Sequence, residues 1–181
     1  MASDGEASDG DVAEAMRPLA ELPVHVVVRL CTDDQRMVRY WNAIDAELEL
    51  ELEVLDDLQG EAREIGALNA WLTYSPAIHR AREWGMPHKL FDLLDERPLT
   101  LGERHTFCML LLGVDASPAT GLPHPDLNGV DAFYAAIDAT LEREESVYDI
   151  ITGASAPKLQ MRRTVFAVRC SPCQQAGCAL S

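Results

Sequence analysis

Positive charge is scarce in this 181-residue sequence. Fifteen lysines and arginines stand against 30 aspartates and glutamates, which gives a formal net charge of −15 at pH 7. A protein that binds nucleic acid through its phosphates needs lysine or arginine at those contacts. We therefore expect no nucleic-acid partner. The same shortage argues against a helix-turn-helix regulator in residues 88–112, whose recognition helix would offer only Arg104 and His105.

Long apolar runs and targeting signals are also missing. The longest apolar run, residues 107–112, is much shorter than the roughly 18 residues that a membrane span requires. The N-terminus is acidic and lacks the basic segment and apolar core of a secretory signal. Five cysteines, an odd number spread unevenly, fit a reducing compartment. These features predict a cytoplasmic protein that does not contact membranes.

Motifs of nucleotide chemistry and covalent catalysis are absent as well. The sequence contains neither a GxGxxG turn nor a P-loop lysine motif, and no serine or cysteine stands in a nucleophile elbow. Cys108 lies within an apolar run, which favours a buried thiol over a nucleophile. His79, His88 and His105 fall in predicted helices. An α/β enzyme or nucleotide-binding fragment of unknown reaction is therefore the alternative function, not the favoured one.

The first half of the chain alternates predicted helices and strands. A helix over residues 11–21 is followed by a nearly continuous β-branched run, residues 24–30, which is typical of a strand buried on both faces of a parallel sheet. A helix over residues 34–46 precedes residues 48–54, where leucine and valine alternate with glutamate. This alternation predicts an edge strand with one solvated, acidic face. We likewise interpret the acidic cluster of residues 45–64 as a solvated surface and not as a calcium site.

The second half reads as helical. The start signals include Ser75-Pro76 and the capping-box spacing of Thr100 and Glu103. The predicted helices cover residues 57–68, 76–84, 88–94, 100–113 and 129–147, with a loop over residues 114–128. The aromatic residues of this half predict packing of the helices on the sheet, with an aromatic contact patch as the alternative; they are Trp71, Tyr74 and Trp84. After residue 152 the charged residues are all basic, which predicts a flexible tail.

Two Asp-Gly steps mark the first eleven residues. Asp4 and Asp9 are typical turn residues, each followed by a glycine that accepts positive φ, and Ser8 or Asp9 can cap the helix that follows. A calcium-binding EF-hand starting at Asp4 is excluded, because its sixth position would be Asp9 instead of glycine and its twelfth Ala15 instead of glutamate.

The loop of residues 3–11, the helix after it and the run of residues 24–30 together resemble the second half of a von Willebrand factor A (vWA) domain. In that family the fourth strand ends in a Thr-Asp-Gly-Glu-like turn, a helix follows, and the fifth strand is a buried valine-rich run. The resemblance implies an α/β fold, a partial doubly wound vWA-type sheet in residues 1–65. A mainly helical extension over residues 66–152 would pack on it, and a basic flexible tail would cover residues 153–181.

The resemblance also implies an incomplete metal site. Family members hold magnesium at a metal-ion-dependent adhesion site built from an Asp-x-Ser-x-Ser motif, a threonine and an aspartate after the fourth strand. Only the last ligand maps to this sequence, at Asp4. Because magnesium needs about six oxygens, we expect no cofactor in this chain alone and Mg²⁺ only in a complete domain. The implied function is a non-catalytic protein-interaction module with an unknown protein partner.

Truncation of such a domain has a consequence for its sheet. The strand of residues 24–30 reads as interior, so the loss of preceding strands would leave one of its edges open. We therefore expect self-association through the exposed sheet edge.

Three cysteines near the C-terminus have the spacing of a metal or redox motif. Cys170 and Cys173 form a CxxC pair, and Cys178 follows. Zinc would need a fourth ligand, which could come only from Cys31, Cys108 or a distant histidine. Because a second pair is missing, we favour a solvated tail over a zinc site.

Overall fold

The computed structural model describes residues 1–8, 10–32, 34–48, 50, 52–114 and 121–162. It confirms the predicted α/β class, with a small parallel sheet and a larger helical portion. Two separate apolar cores organise the chain. One lies in the sheet part, residues 1–55, and the other in the helical part, residues 58–162.

The sheet contains three parallel strands in the order β1-β2-β3, namely β1 (Ala2–Ser3), β2 (Val26–Leu30) and β3 (Leu52–Leu55). The main chain of the first residues pairs with β2: the Arg29 amide donates to the Met1 carbonyl at 2.8 Å, and the Cys31 amide donates to the Ser3 carbonyl at 2.8 Å. β2 is therefore paired on both sides, so the expectation that it has an open edge is wrong. The edges that the described strands leave unpaired belong to β1 and β3.

Two helical segments cover one face of the sheet. α1 (Val12–Met16) tightens into a 3-10 turn over Arg17–Glu21, and α2 (Gln35–Glu47) packs through Trp41 and Ile44. Val28 and Leu52 meet them from the sheet, as the alternation of a strand requires. Asp11 caps α1 by accepting a hydrogen bond from the Glu14 amide at 3.2 Å. The cap expected from Asp9 lies outside the described residues.

The strand predicted over residues 48–54 is shorter than expected. α2 continues to Glu47 and Leu48 is its C-cap, so the pairing begins only at Leu52. The prediction of a solvated acidic face is wrong for Glu53, which is 6% exposed. The alternation is real, but the face that carries Glu53 is covered by the helical part. Glu49 and Glu51 lie outside the described residues.

The helical part contains six helices among the described residues: α3 (Leu58–Leu68), α4 (Pro76–Glu83), α5 (Lys89–Glu96), α6 (Leu101–Leu112), α7 (Pro125–Asn128) and α8 (Val130–Leu141). The start predicted from Thr100 is confirmed, and both hydrogen bonds of the capping box with Glu103 are present. Gly113, at φ +63°, ends the same helix. α8 stops at Leu141, short of the predicted residue 147: the chain enters a turn in which the Glu144 amide donates to the Leu141 carbonyl, and residues 147–149 then form a strand.

A buried amide joins the helices of this part. Asn69 is fully buried and satisfied on both ends of its side chain. Its Nδ2 donates to the Leu94 carbonyl at 2.8 Å and to the Arg97 carbonyl at 3.1 Å. Its Oδ1 accepts from Trp71 Nε1 at 3.1 Å and from the Leu99 amide at 2.9 Å. The end of α3 is thereby fixed to the end of α5 and the start of α6.

A C-terminal strap closes the helical core. β4 (Val147–Asp149) and β5 (Ala154–Ala156) form an antiparallel hairpin. The chain then runs beside residues 71–73: the Thr73 amide donates to the Lys158 carbonyl at 3.1 Å, and Leu159 is 2% exposed. Residues 153–162 are thus not the flexible tail that their composition predicts, because Leu159 and Met161 are buried in the core. Residues 163–181 lie outside the described part.

No helix of the described residues is long and apolar enough to cross a membrane.

Candidate functional site

The turn predicted as a metal-binding remnant follows β1 directly. Asp4 is exposed at the carboxyl end of this strand. Ser3 shapes the turn, since its hydroxyl donates to the Gly5 carbonyl at 3.0 Å and accepts from the Gly5 amide at 3.4 Å. This position is where ligands bind in open α/β sheets, outside the carboxyl ends of the strands.

A shallow cleft of about 290 Å³ opens beside Asp4. Residues 1–7 line it together with Val12 and Trp41. Trp41 is 3% exposed, and its Nε1 has no hydrogen-bond partner among the described residues. The cleft thus combines an acidic rim with an aromatic wall. Among the described residues no group of three or more histidine, cysteine, aspartate or glutamate side chains is arranged to hold a metal ion.

The strongest concentration of buried charge lies elsewhere, around Arg82. This arginine on α4 is 1% exposed and contacts carboxylates from three other elements. Its Nε donates to Glu53 Oε1 of β3 at 2.6 Å, and its Nη2 donates to Asp95 Oδ2 of α5 at 2.5 Å. Its Nη1 donates to Glu61 of α3. We call these four residues the Arg82 cluster. It joins the sheet part to three helices of the helical part.

The cluster contains three carboxylates and only one guanidinium group, which leaves an excess of buried negative charge. Burial raises the pKa of Glu61 to about 7, although Arg82 opposes the shift. Burial also raises the pKa of Glu53, again against Arg82. For Arg82 burial favours the neutral form, but the surrounding carboxylates outweigh it and raise the pKa. Glu61 is therefore the carboxyl best placed to hold a proton near neutral pH.

An acidic groove runs along the outer edge of β3, beside the Arg82 cluster. Two adjoining cavities of about 320 and 210 Å³ form it and share five lining residues. The shared residues are Asp45 of α2, Leu52 and Glu53 of β3, and Asp92 and Glu96 of α5. We call this the β3 groove. Its floor is the strand and its two walls are α2 and α5, and carboxylates stand on both walls.

Cations near the β3 groove do not balance its negative charge. Lys89 Nζ pairs with Asp92 Oδ2 at 2.5 Å, and Arg82 is held within its own cluster. Burial and then the carboxylates of α5 raise the pKa of Asp45. Burial, followed by Asp95 and Asp56, raises the pKa of Glu64 as well. The interpretation of residues 45–64 as a solvated surface is therefore wrong in part, because Glu53 and Glu61 are buried and Asp45 is half-buried, whereas Glu64 is exposed.

A second, partly buried network joins α4 to the sheet. Tyr74 Oη lies 3.0 Å from His79 Nδ1, and His79 Nε2 lies 3.3 Å from Glu83 Oε1. The same Glu83 oxygen lies 2.9 Å from Arg29 Nη1 of β2. Burial lowers the pKa of His79. Because His79 is only 5% exposed, we interpret the network as a structural link and not as a catalytic triad.

The remaining candidates from the sequence fall into different places. Cys108 is buried as expected, and burial raises its pKa to about 12, whereas Cys31 is exposed. Trp71 and Tyr74 are buried in the helical core, but Trp84 is 87% exposed, so packing on the sheet is wrong for all three. The CxxC candidates Cys170, Cys173 and Cys178 lie outside the described residues.

Sequence reasoning missed the Arg82 cluster entirely. The sequence contained only separate indications of it: Glu53 lies in a run of alternating apolar residues, and Arg82 lies on an amphipathic helix. Nothing in the sequence pairs residues that are 29 positions apart.

Comparison of the chain with protein-family models, with curated proteins and with solved structures gave no match.

Proposed function

We propose that this chain is a non-catalytic protein-interaction module that resembles a vWA domain and binds its partner at the carboxyl edge of its sheet. Two features support the resemblance. The strands are parallel and follow chain order, as in one half of a doubly wound sheet, and an acidic turn follows the first of them. The helix and strand that come next along the chain match the order that the family would require.

The observation that carries the proposal is the position of Asp4. Its carboxylate is exposed at the rim of the 290 Å³ cleft, and Trp41 forms a wall of the same cleft. In this chain a basic side chain of the partner would pair directly with Asp4. In a complete domain, Mg²⁺ would bridge Asp4 to a carboxylate of the partner.

A capture experiment tests the proposal. The chain, Asp4→Lys and Glu142→Lys would be immobilised and the retained proteins quantified by mass spectrometry. We expect a protein that the wild type retains to be lost with Asp4→Lys and kept with Glu142→Lys, which makes the same charge change on the exposed end of α8. Equal retention by all three, or retention of no specific protein by the wild type, would contradict the proposal.

Metal titration gives an independent check. Because one carboxylate leaves most of the magnesium shell to water, Mg²⁺ and Mn²⁺ should leave the melting temperature of this chain unchanged within error. The melting temperature would be measured by differential scanning fluorimetry with Asp4→Asn as the matched variant. A metal-dependent rise that Asp4→Asn removes would show a complete site in this chain and contradict the ligand count.

A further inference from the structure

The outer edge of β3 is an unpaired sheet edge inside an acidic groove. β3 is the last strand in the order β1-β2-β3, and no other strand of the described residues pairs with its outer side. The Leu52 amide donates to the Leu50 carbonyl at 2.8 Å, and the Asp56 amide donates to Glu61 Oε1 at 3.0 Å, so neither bonds β2. Since main-chain groups alternate in direction along a strand, Val54 between them presents its amide and carbonyl to the β3 groove.

Natural sheets usually protect such an edge, because it is a template for another strand. Here the edge is flanked by α2 on one side and α5 on the other, and the two adjoining cavities leave it accessible. A segment lying in this groove would bond the main chain of β3 and place alternate side chains against the two helical walls. The floor also offers the half-buried apolar side chain of Leu50.

The charge of the walls decides the kind of segment. Asp45 projects from α2 and Glu96 from α5, while Asp92 of α5 is already paired with Lys89. Both walls therefore favour lysine or arginine on an incoming strand. A second copy of this chain would bring its own acidic walls to the same place, and with a net charge of −15 the two copies would repel each other.

We propose that the β3 groove binds an extended, basic segment of a partner protein, which adds to the sheet as a fourth strand beside β3. The site is at the opposite edge of the sheet from Asp4, so it does not depend on the function proposed for the Asp4 cleft. Main-chain hydrogen bonds would supply the register, and the paired charges would select basic sequences.

A peptide probe tests this proposal on the full chain. The probe is a fluorescein-labelled hexapeptide that alternates threonine and lysine, with binding followed by fluorescence anisotropy at low salt. One control replaces each lysine by glutamate. A second control keeps the lysines but carries N-methyl groups on alternate peptide nitrogens, which blocks strand addition and leaves the charge unchanged. We expect binding of the probe alone, with each control weaker by about tenfold or more.

Protein variants locate the site. Glu96→Lys reverses a charge on the exposed rim of the groove and should lower the affinity for the probe by about tenfold. The controls Glu142→Lys and Asp4→Lys should leave the affinity for the probe unchanged. Asp4→Lys separates this result from the capture experiment, since it should abolish one interaction and spare the other. The carboxylates of the Arg82 cluster stay intact in all variants, so that folding is not disturbed.

Amide hydrogen exchange identifies the contact directly. Bound probe should slow exchange of the Val54 amide, while the amides of α8 should not change. Equal binding of the N-methylated peptide would show that charge alone attracts the probe and would overturn strand addition. Failure of the probe to bind, insensitivity to Glu96→Lys, or dimerisation of the free chain through this edge would overturn the proposal too.

Discussion

Arg82 shows how one residue can hold several elements together. It is almost fully buried, and its three donor groups are each used by a different carboxylate: Glu53, Glu61 and Asp95. A buried charge of this kind adds little stability compared with an apolar residue of the same size, but removing one partner leaves the others uncompensated. Loss of Arg82 should therefore cost more stability than loss of any one carboxylate, because the arginine neutralises three acids at once.

Replacement of Arg82 by methionine should therefore destabilise the chain strongly. The variant keeps much of the side-chain volume but leaves three carboxylates without a cation, at a cost of about 3–5 kcal/mol in the free energy of unfolding. Urea denaturation followed by circular dichroism would measure it. Arg80→Met, at an exposed position on the same helix, is the matched control and should change stability by less than about 0.5 kcal/mol. Similar losses in both variants would contradict the role of the cluster.

At the scale of helices and strands, features set by neighbouring residues could be predicted from the sequence, whereas features set by distant residues could not. The start of α6 could be predicted from Thr100 and Glu103 alone, because both hydrogen bonds of the capping box lie within four residues. The burial of Glu53 could not be predicted, since the partner that makes it tolerable is 29 residues away on another element. The start of β3 was missed for a related reason: Leu48 at the end of α2 and Leu52 on the strand face the same core, and their spacing alone does not separate helix from strand.

The capping box provides a test at this scale. Thr100→Ala removes the side-chain acceptor of the Glu103 amide and should cost about 1 kcal/mol in the free energy of unfolding. Thr106→Ala, an exposed threonine in the interior of α6, is the control and should be near neutral, because its hydroxyl only bonds the Gly102 carbonyl within the helix. The midpoints of chemical denaturation would be compared at constant slope. An effect of Thr106→Ala as large as that of Thr100→Ala would show that the cap is not the cause.

At the scale of the whole molecule, the described residues form two apolar cores joined by charged contacts. Arg82 pairs with Glu53 across this junction, and Arg29 pairs with Glu83 beside it. The α/β class and most helices of the molecule could be predicted from the sequence, because hydrophobic periodicity is local. The junction could not, because it depends on which polar faces meet when the two cores are packed together.

The junction makes the stability of the whole chain depend on pH. The pKa of Glu61 is raised to about 7 in the folded chain, above its ordinary value of 4.5, so the folded chain binds this proton more tightly than the unfolded chain. The stability that protonated Glu61 contributes is complete below the pKa of Glu61 in the unfolded chain. It is lost as the pH rises through the pKa of Glu61 in the folded chain. Glu61→Gln cannot ionise. The free energy of unfolding of this variant, relative to that of the wild type, should therefore rise by on the order of 2 kcal/mol as the pH goes from about 5 to about 8.

Denaturant titrations at both pH values would measure this difference, with the exposed Glu142→Gln as the control. A constant difference between Glu61→Gln and the wild type across the pH range would mean that Glu61 ionises normally in the folded chain.

The C-terminal strap limits when the helical part of the chain can fold during synthesis. The described elements of the sheet part all lie within the first 55 residues, so the contacts of its core can form early. The helical core depends on Leu159 and Met161, which cover Trp71 and Leu72 almost 90 residues earlier. A nascent chain that ends before the strap would expose these large apolar side chains. Until then, the unfinished helical part is the segment that chaperones would be expected to bind.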